Sequence, residues 1–227
     1  MNATDKRLAP PSAGPFLWVL AGVVLVAGAA VATRLGLENW SEPGSVLLLL
    51  VASAVAGFFP VRLPALRING TATHVFVFAA LVMAGPFAAI CTDLAGLIGA
   101  IIGRRRRPLV IHLIFNLGLV VLCASAAGAA WHALGGRQGQ VSAEALIGAS
   151  VIYFGVNGLL VGIAVALETH KGLLEVLRDS ILWTALPFFA GLAGSAALVA
   201  LWATPAWALL MVLPSVMAML RILHRPA

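Results

Sequence analysis

The chain has 227 residues, of which 62% are hydrophobic and only 10% are charged, and its mean hydropathy is +1.05. Soluble domains carry about 25% charged residues, so this composition excludes an ordinary water-soluble domain. At about 20 residues for each membrane-crossing helix, the chain has room for about six to eight crossings and for no separate soluble domain. Its formal charge of +6 comes from basic residues spread over the connections between apolar runs, which indicates contact with anionic lipid rather than with nucleic acid.

The N-terminal segment is the most polar part of the chain. Residues 1–15 contain an acidic residue, two basic residues and three prolines, and we predict a disordered cytoplasmic tail. Residues 16–227 are predicted to form a single all-α transmembrane helical domain. Its first run, 16–33, could also be a signal peptide that is cleaved after Ala30-Val31-Ala32. An uncleaved helix is favoured because the run is long enough to span and many apolar segments follow it.

Apolar runs that end at charges, glycine or proline predict eight membrane segments, at about 16–33, 44–60, 74–85, 87–103, 109–133, 145–167, 181–203 and 206–222. The third segment has twelve residues, which reach about 18 Å at 1.5 Å per residue, whereas the hydrocarbon core is about 30 Å thick. Residues 74–103 therefore form either a hairpin that turns at Gly85-Pro86 or one long tilted helix that is kinked there.

The basic residues discriminate between these two topologies. The strongest cluster, here called the arginine block, consists of Arg104, Arg105, Arg106 and Arg107. It is assigned to topology and lipid contact, because short cytoplasmic loops retain Lys and Arg. A hairpin at Gly85 places both termini in the cytoplasm, with twelve basic residues inside and two outside, whereas a single helix leaves nine inside and five outside. The charge bias favours the hairpin, whose short first arm must be covered by protein where its backbone is irregular.

Two connections are predicted to carry structure of their own. The segment 61–73 contains Pro64 and Asn69-Gly70, so it is expected to be extended with a turn. The segment 168–180 alternates leucines with charged residues, which is typical of a short amphipathic helix on the cytoplasmic membrane face.

Asp93 is the ionisable residue that lies deepest within a predicted span. A carboxyl near the middle of a bilayer costs at least about 2.5–3.5 kcal/mol, so it requires protein or water around it and a partner. Gly96, Ala100 and Gly103 share its helical stripe, and small residues allow another helix to approach closely. Asp93 is therefore interpreted either as a contact for a ligand, ion or proton or as a hydrogen-bonded packing residue.

A polar cluster inside the bundle is the candidate ligand-binding site, formed by Asp93, Asn116, Tyr153 and Asn157. Asn157 lies at about the depth of Asp93, Tyr153 is one turn away on the same face, and Asn116 is closer to the cytoplasm. Asparagine in such positions also joins helices without binding a ligand. Gly155, Gly158 and Gly162 predict close backbone approach on the same helix. No metal-binding or catalytic motif is present in the sequence, so no cofactor, metal or enzymatic activity is predicted.

The stretch from Thr73 to Ala166 resembles a multi-span sensory module found at the N-termini of bacterial cyclic-di-GMP-type signalling proteins, ahead of diguanylate cyclase or HD-type phosphohydrolase domains. The residues that carry the resemblance are His74-Val-Phe-Val-Phe-Ala-Ala-Leu, Ala84-Gly85-Pro86, the arginine block, Phe115-Asn116, and Tyr153-Phe154 with Asn157. It implies a non-catalytic sensory or ligand-binding module. Because the chain ends at Ala227 without an output domain, we expect either a stand-alone relative or a form from which the effector has been removed.

A second resemblance concerns the Gly85-Pro86 turn, followed by Asp93 and small residues. It is similar to the substrate-binding subunits of energy-coupling-factor vitamin transporters, and it implies the alternative function of small-molecule uptake. Either reading places the chain in the bacterial cytoplasmic (inner) membrane as a multi-pass protein. The candidate partners are the lipid bilayer, a small-molecule ligand, and a second copy of the chain or a membrane signalling or transport partner.

Overall fold

The described part of the chain is almost entirely helical. The computed structural model describes residues 15–34, 43–59, 61–63, 68–70, 72–103 and 109–202. Within them lie seven α-helices: α1 Pro15–Arg34, α2 Pro43–Phe58, α3 Thr73–Ala84, α4 Pro86–Ile102, α5 Val110–Ala133, α6 Ala143–Thr169 and α7 Leu173–Leu201. The predicted N-terminal tail up to residue 14, the arginine block and the predicted segment 206–222 lie outside the described residues.

Helices α3 and α4 form an antiparallel hairpin. Gly85 joins them with φ 87°, a backbone conformation that favours glycine, and Pro86 occupies the first turn of α4, where its missing N–H costs no hydrogen bond. The methyl group of Thr73, at the start of α3, lies 2.7 Å from where a Cβ on Gly96 of α4 would be. Residues eleven or twelve positions on either side of the turn therefore meet. The hairpin is confirmed, and the alternative of one long helix over residues 74–103 is wrong.

The short first arm of this hairpin is a core helix. Nine of the twelve residues of α3 are buried, among them every residue from Phe76 to Val82. At about 1.5 Å per residue α3 is about 18 Å long, too short to cross a bilayer, and the other helices surround it. The expectation that protein covers this arm is confirmed.

Helices that follow one another along the chain alternate in direction, so α2 and α4 are parallel and α5 and α6 are antiparallel. Ala54 and Phe58 of α2 contact Gly99 and Gly103 of α4 in the same order along the chain, so these two helices run parallel. His112 at the start of α5 meets Glu168 at the end of α6, so these two run antiparallel. We call the end of the bundle at Phe58, Ile102, Val110 and Thr169 the arginine side. The end at Gly85, Ala133 and Ala143 is called the hairpin side.

Helix α1 is part of the bundle. Leu17, Ala21 and Val24 are buried in its core, and a Cβ on Gly28 would lie 2.9 Å from the Gly118 carbonyl of α5. Within the described residues, α5 and α6 are long and apolar enough to cross a membrane, and the remaining apolar stretches are shorter. The shortest of them, α3, is the one that the other helices enclose.

The glycines of α4 and α6 differ in how closely neighbouring helices pack against them. A Cβ on Gly99 would lie 1.9 Å from the Ala54 carbonyl oxygen, and one on Gly103 would lie 2.4 Å from the Phe58 carbonyl oxygen. The small-residue stripe of α4 is thus confirmed as a tight helix interface. Gly155 of α6 has nothing within 4 Å of its Cβ position, and the same holds for Gly158. The prediction of close backbone approach is wrong for these two residues, because they face away from the described neighbours.

The predicted connections are confirmed in one case and corrected in the other. Strands β1 Val61–Leu63 and β2 Ile68–Gly70 pair antiparallel, as expected for an extended segment with a turn. The amphipathic helix predicted over 168–180 is not a separate element, because α7 continues unbroken from Leu173 to Leu201. No glycine or proline interrupts its first thirteen residues, so the amphipathic turns extend directly into the apolar ones.

Candidate functional site

The centre of the site is a hydrogen bond between α6 and α4. The Tyr153 hydroxyl donates to Oδ2 of the Asp93 carboxyl, and the two residues are 3% and 5% exposed. Asp93 is the eighth residue of the seventeen-residue α4, so the pair lies halfway along this helix. A buried carboxyl needs hydrogen-bond donors in place of water, and the phenol supplies one. The sequence prediction that Asp93 has a partner is confirmed, and its partner is Tyr153.

Aromatic rings from α3 and α7 surround Tyr153. Its ring centroid lies 5.5 Å from that of His74, 5.7 Å from that of Phe78 and 5.4 Å from that of Phe188. The His74 and Phe188 rings are themselves 4.0 Å apart, and Phe154 lies 5.2 Å from Phe188. We call His74, Phe78, Tyr153, Phe154 and Phe188 the aromatic cluster. Edge-to-face and tilted geometries of this kind add about 0.5–1.5 kcal/mol per pair beyond the burial of area.

The site therefore joins four helices directly. Asp93 belongs to α4, Tyr153 and Phe154 to α6, His74 and Phe78 to α3, and Phe188 to α7. Cys123 of α5 is fully buried in the same hydrophobic core as Tyr153 and Phe188. Any event that changes the Asp93–Tyr153 hydrogen bond acts where all the central helices meet.

The two asparagines of the predicted cluster occupy different positions. The contact between His112 Nε2 and Glu168 Oε1, at 2.5 Å, sets the register of α5 against α6. In that register Asn116 is level with residue 164 of α6. It therefore lies eleven residues, about 16 Å, from Tyr153 along the bundle.

Asn116 is therefore several turns from Tyr153 along α5 and α6, and its grouping with Asp93 stays a prediction. Asn157 lies one turn from Tyr153 on α6 and is half-buried. No hydrogen bond joins the Asn157 side chain to Asp93 or Tyr153 in the described structure. The structure thus brings together Asp93 and Tyr153 of the four predicted residues.

A membrane segment that begins at residue 74, as predicted, puts His74 at the membrane boundary, but the structure places it farther inside the bundle. Because Thr73 lies on Gly96, His74 is level with residue 95 of α4, about 10 Å from the helix end at Ile102. The reason is that α3 starts inside the bundle rather than at its surface. The i,i+4 spacing of His74 and Phe78 places both rings on one face of α3, which is the signal that could have associated them with a common partner.

The chemistry of the site is that of binding rather than of bond cleavage. A carboxyl, a phenol and an imidazole offer hydrogen-bond donors and acceptors, and the surrounding rings offer faces that attract cations. Among the described residues, no group of three or more His, Cys, Asp or Glu side chains is arranged to hold a metal ion. The arrangement is suited to a proton, a small cation or a polar ligand that competes for the Asp93–Tyr153 hydrogen bond.

Apolar helices packed around a buried carboxyl–phenol pair define a membrane-associated helical module. The chain belongs to the MASE9 family, whose sequence model matches residues 45–222. MASE domains are membrane-associated sensory modules. The match begins in α2 and includes both residues of the pair and the whole aromatic cluster. No curated protein and no solved structure matches the chain significantly, so the likeness to energy-coupling-factor subunits gains no support from a relative.

Proposed function

We propose that this chain is a multi-pass sensory module of the bacterial inner membrane that detects a small polar ligand, cation or proton without catalysing a reaction. The single observation that carries the proposal is the Tyr153–Asp93 hydrogen bond at the centre of a MASE9 bundle. In hydrocarbon, a carboxyl is expensive, and ionisable residues in such positions are commonly functional. Stability alone is a weak reason for the pair, since such bonds average only about 0.6 kcal/mol in membrane proteins.

The geometry suggests how binding is transmitted. A ligand or proton that takes over one partner of the pair changes the contact between α4 and α6, and the aromatic cluster links that contact to α3 and α7. A ligand shifts an equilibrium between two packings only by its difference in affinity for them. We infer that one packing keeps the pair and that the other exposes the Asp93 carboxyl to the ligand.

The membrane arrangement is part of the proposal. We propose that both termini lie in the cytoplasm, because the charge bias favours the hairpin topology. The alternating direction of consecutive helices in the described bundle supports this arrangement. A small-molecule ligand and a signalling partner or second copy of the chain remain predictions, as does the association with cyclic-di-GMP-type output domains.

A thermal-shift experiment tests the proposed function. The purified chain in detergent is screened, over a range of pH, against alkali cations and small polar amines, and any condition that raises its Tm is repeated on variants. We expect the shift to be lost in Asp93→Asn and Tyr153→Phe and kept in His112→Ala, whose side chain is 40% exposed at the arginine side. If both site variants are less stable but keep the full ligand shift, the pair only joins helices and the proposal is wrong.

A further inference from the structure

The pair has different surroundings toward the two ends of the bundle. Toward the hairpin side, α3 presents Phe78, Leu81 and Val82, which are at most 1% exposed. Trp131 of α5 is 1% exposed, and the Gly139 N–H donates to the Val82 carbonyl at 2.7 Å, so the loop after α5 lies over the end of α3. These contacts form an apolar layer between the pair and that surface.

Polar side chains instead lie toward the arginine side. Ser53 of α2 and Thr73 of α3 both contact Gly96, which is one turn from Asp93 on α4. His74 follows Thr73, and its ring touches that of Tyr153. A continuous row of polar groups, here called the polar row, therefore consists of Ser53, Thr73 and His74 and ends at the pair.

Ser53 provides an independent reason to expect water in the polar row. Its side chain is 0% exposed, and its hydroxyl makes no hydrogen bond within the described structure. An orphaned buried hydroxyl costs about 1–3 kcal/mol, and ordered water is the usual way to satisfy it. The hydroxyls of Thr92 and Ser150, by contrast, donate to carbonyls of their own helices. Ser125 of α5 is also buried with a hydroxyl that has no partner in the described structure, but it lies outside the polar row.

Helix α3 begins deeper in the bundle than the level at which α2 ends. Phe58, at the end of α2, lies beside Gly103, whereas Thr73 lies beside Gly96, which is seven residues or about 10 Å farther into the bundle. Between these two levels along the chain lie the paired strands β1 and β2. Non-helical backbone at membrane depth occurs only where protein buries it or where it lines a water-filled space.

We propose that a hydrated route along the polar row connects the Asp93–Tyr153 pair to the arginine side of the bundle, while the hairpin side is closed to water. The species that travels along it is water, together with the proton or small hydrated solute that the pair detects. The inference rests on the proposed function for its purpose, but the route itself exists whether or not a ligand is found. It assigns the sensed compartment to the side that carries the arginine block.

Cysteine labelling tests the route. In a chain with Cys91 and Cys123 replaced by alanine, Thr73→Cys is treated with the membrane-impermeant anionic reagent 2-sulfonatoethyl methanethiosulfonate, in right-side-out and in inside-out vesicles. Arg105→Cys identifies the arginine side, and Leu81→Cys is the matched control from the apolar layer. We expect Thr73→Cys to react at least tenfold faster from the side that labels Arg105→Cys. Leu81→Cys should react at least tenfold more slowly than Thr73→Cys from either side.

Two results would overturn the route. One is faster labelling of Thr73→Cys from the side opposite to Arg105→Cys. The other is no labelling above the rate of Leu81→Cys. If thermal unfolding shows that Thr73→Cys is not folded, Ser53→Cys replaces it, because Ser53 belongs to the same polar row and lies on α2. Labelling needs no stimulus, so a failed ligand screen leaves the result intact, and a failed labelling test leaves the ligand screen intact.

Discussion

The tight interface between α2 and α4 makes Gly99→Ala a demanding substitution. An added Cβ would lie 1.9 Å from the Ala54 carbonyl oxygen, whereas ordinary contact begins at 3.4 Å. The two helices must therefore separate locally by about 1.5 Å, the difference between these distances. Overpacking of this kind costs about 1–3 kcal/mol, and alanine recovers up to about 1 kcal/mol through its better helix propensity. We expect a net loss of about 1–2 kcal/mol in the free energy of unfolding.

Gly155→Ala is the matched control for this prediction. Gly155 also lies within a helix, but no described residue lies within 4 Å of its Cβ position. This substitution should leave stability unchanged or raise it by up to about 1 kcal/mol. The assay is thermal unfolding of both variants in the same detergent, where about 1 kcal/mol corresponds to about 2–4 °C for a chain of this size. Equal Tm values for the two variants would refute the described packing of α2 against α4.

Three further predictions concern the site and the turn. A double-mutant cycle with Asp93→Asn and Tyr153→Phe should give a coupling energy of about 1–1.7 kcal/mol. This is the upper part of the range for hydrogen bonds in membrane proteins, and we expect it because both residues are buried. A coupling energy below about 0.3 kcal/mol would contradict the hydrogen bond between these two side chains. His112→Ala should lower the free energy of unfolding by less than about 1 kcal/mol, because the His112 and Glu168 side chains are 40% and 37% exposed. This loss should become smaller as the salt concentration rises. A loss greater than about 1 kcal/mol at any salt concentration would contradict the prediction. Gly85→Ala should cost about 1–3 kcal/mol in chemical unfolding, because φ 87° strains any residue with a Cβ; an unchanged midpoint would mean that the turn has another backbone geometry.

Much of the fold could be predicted from sequence because hydrophobic length and charge constrain membrane helices strongly. The boundaries of α3 and α4, the turn at Gly85 and the extended ribbon all follow from local signals. Local signals do not show whether neighbouring elements merge, and α7 is an example: its amphipathic first turns lack a breaker and join the apolar helix. The prediction treated a change of composition as a change of element.

The site was predicted less completely than the fold. Asp93 was identified because an ionisable residue within an apolar run is unusual, and Tyr153 because it shares a helix face with Asn157. Depth estimated from distance to a helix end placed His74 wrongly, since that estimate assumes that each helix begins at the membrane surface. Phe188 is one of many phenylalanines in the sequence, and only the packing of α7 against α3 and α6 reveals its role.

The hairpin at Gly85 is the feature on which the site depends, because it brings His74 of α3 to the level of Asp93 on α4. Spin labels at Val75→Cys and Ile98→Cys, in a chain without its native cysteines, measure it directly by pulsed electron paramagnetic resonance. The hairpin register and a helix spacing of about 8–10 Å place these two Cα atoms about 10 Å apart. The account predicts a mean label distance below about 25 Å. A distance near 35 Å, the span of 23 residues in one continuous helix, would contradict it.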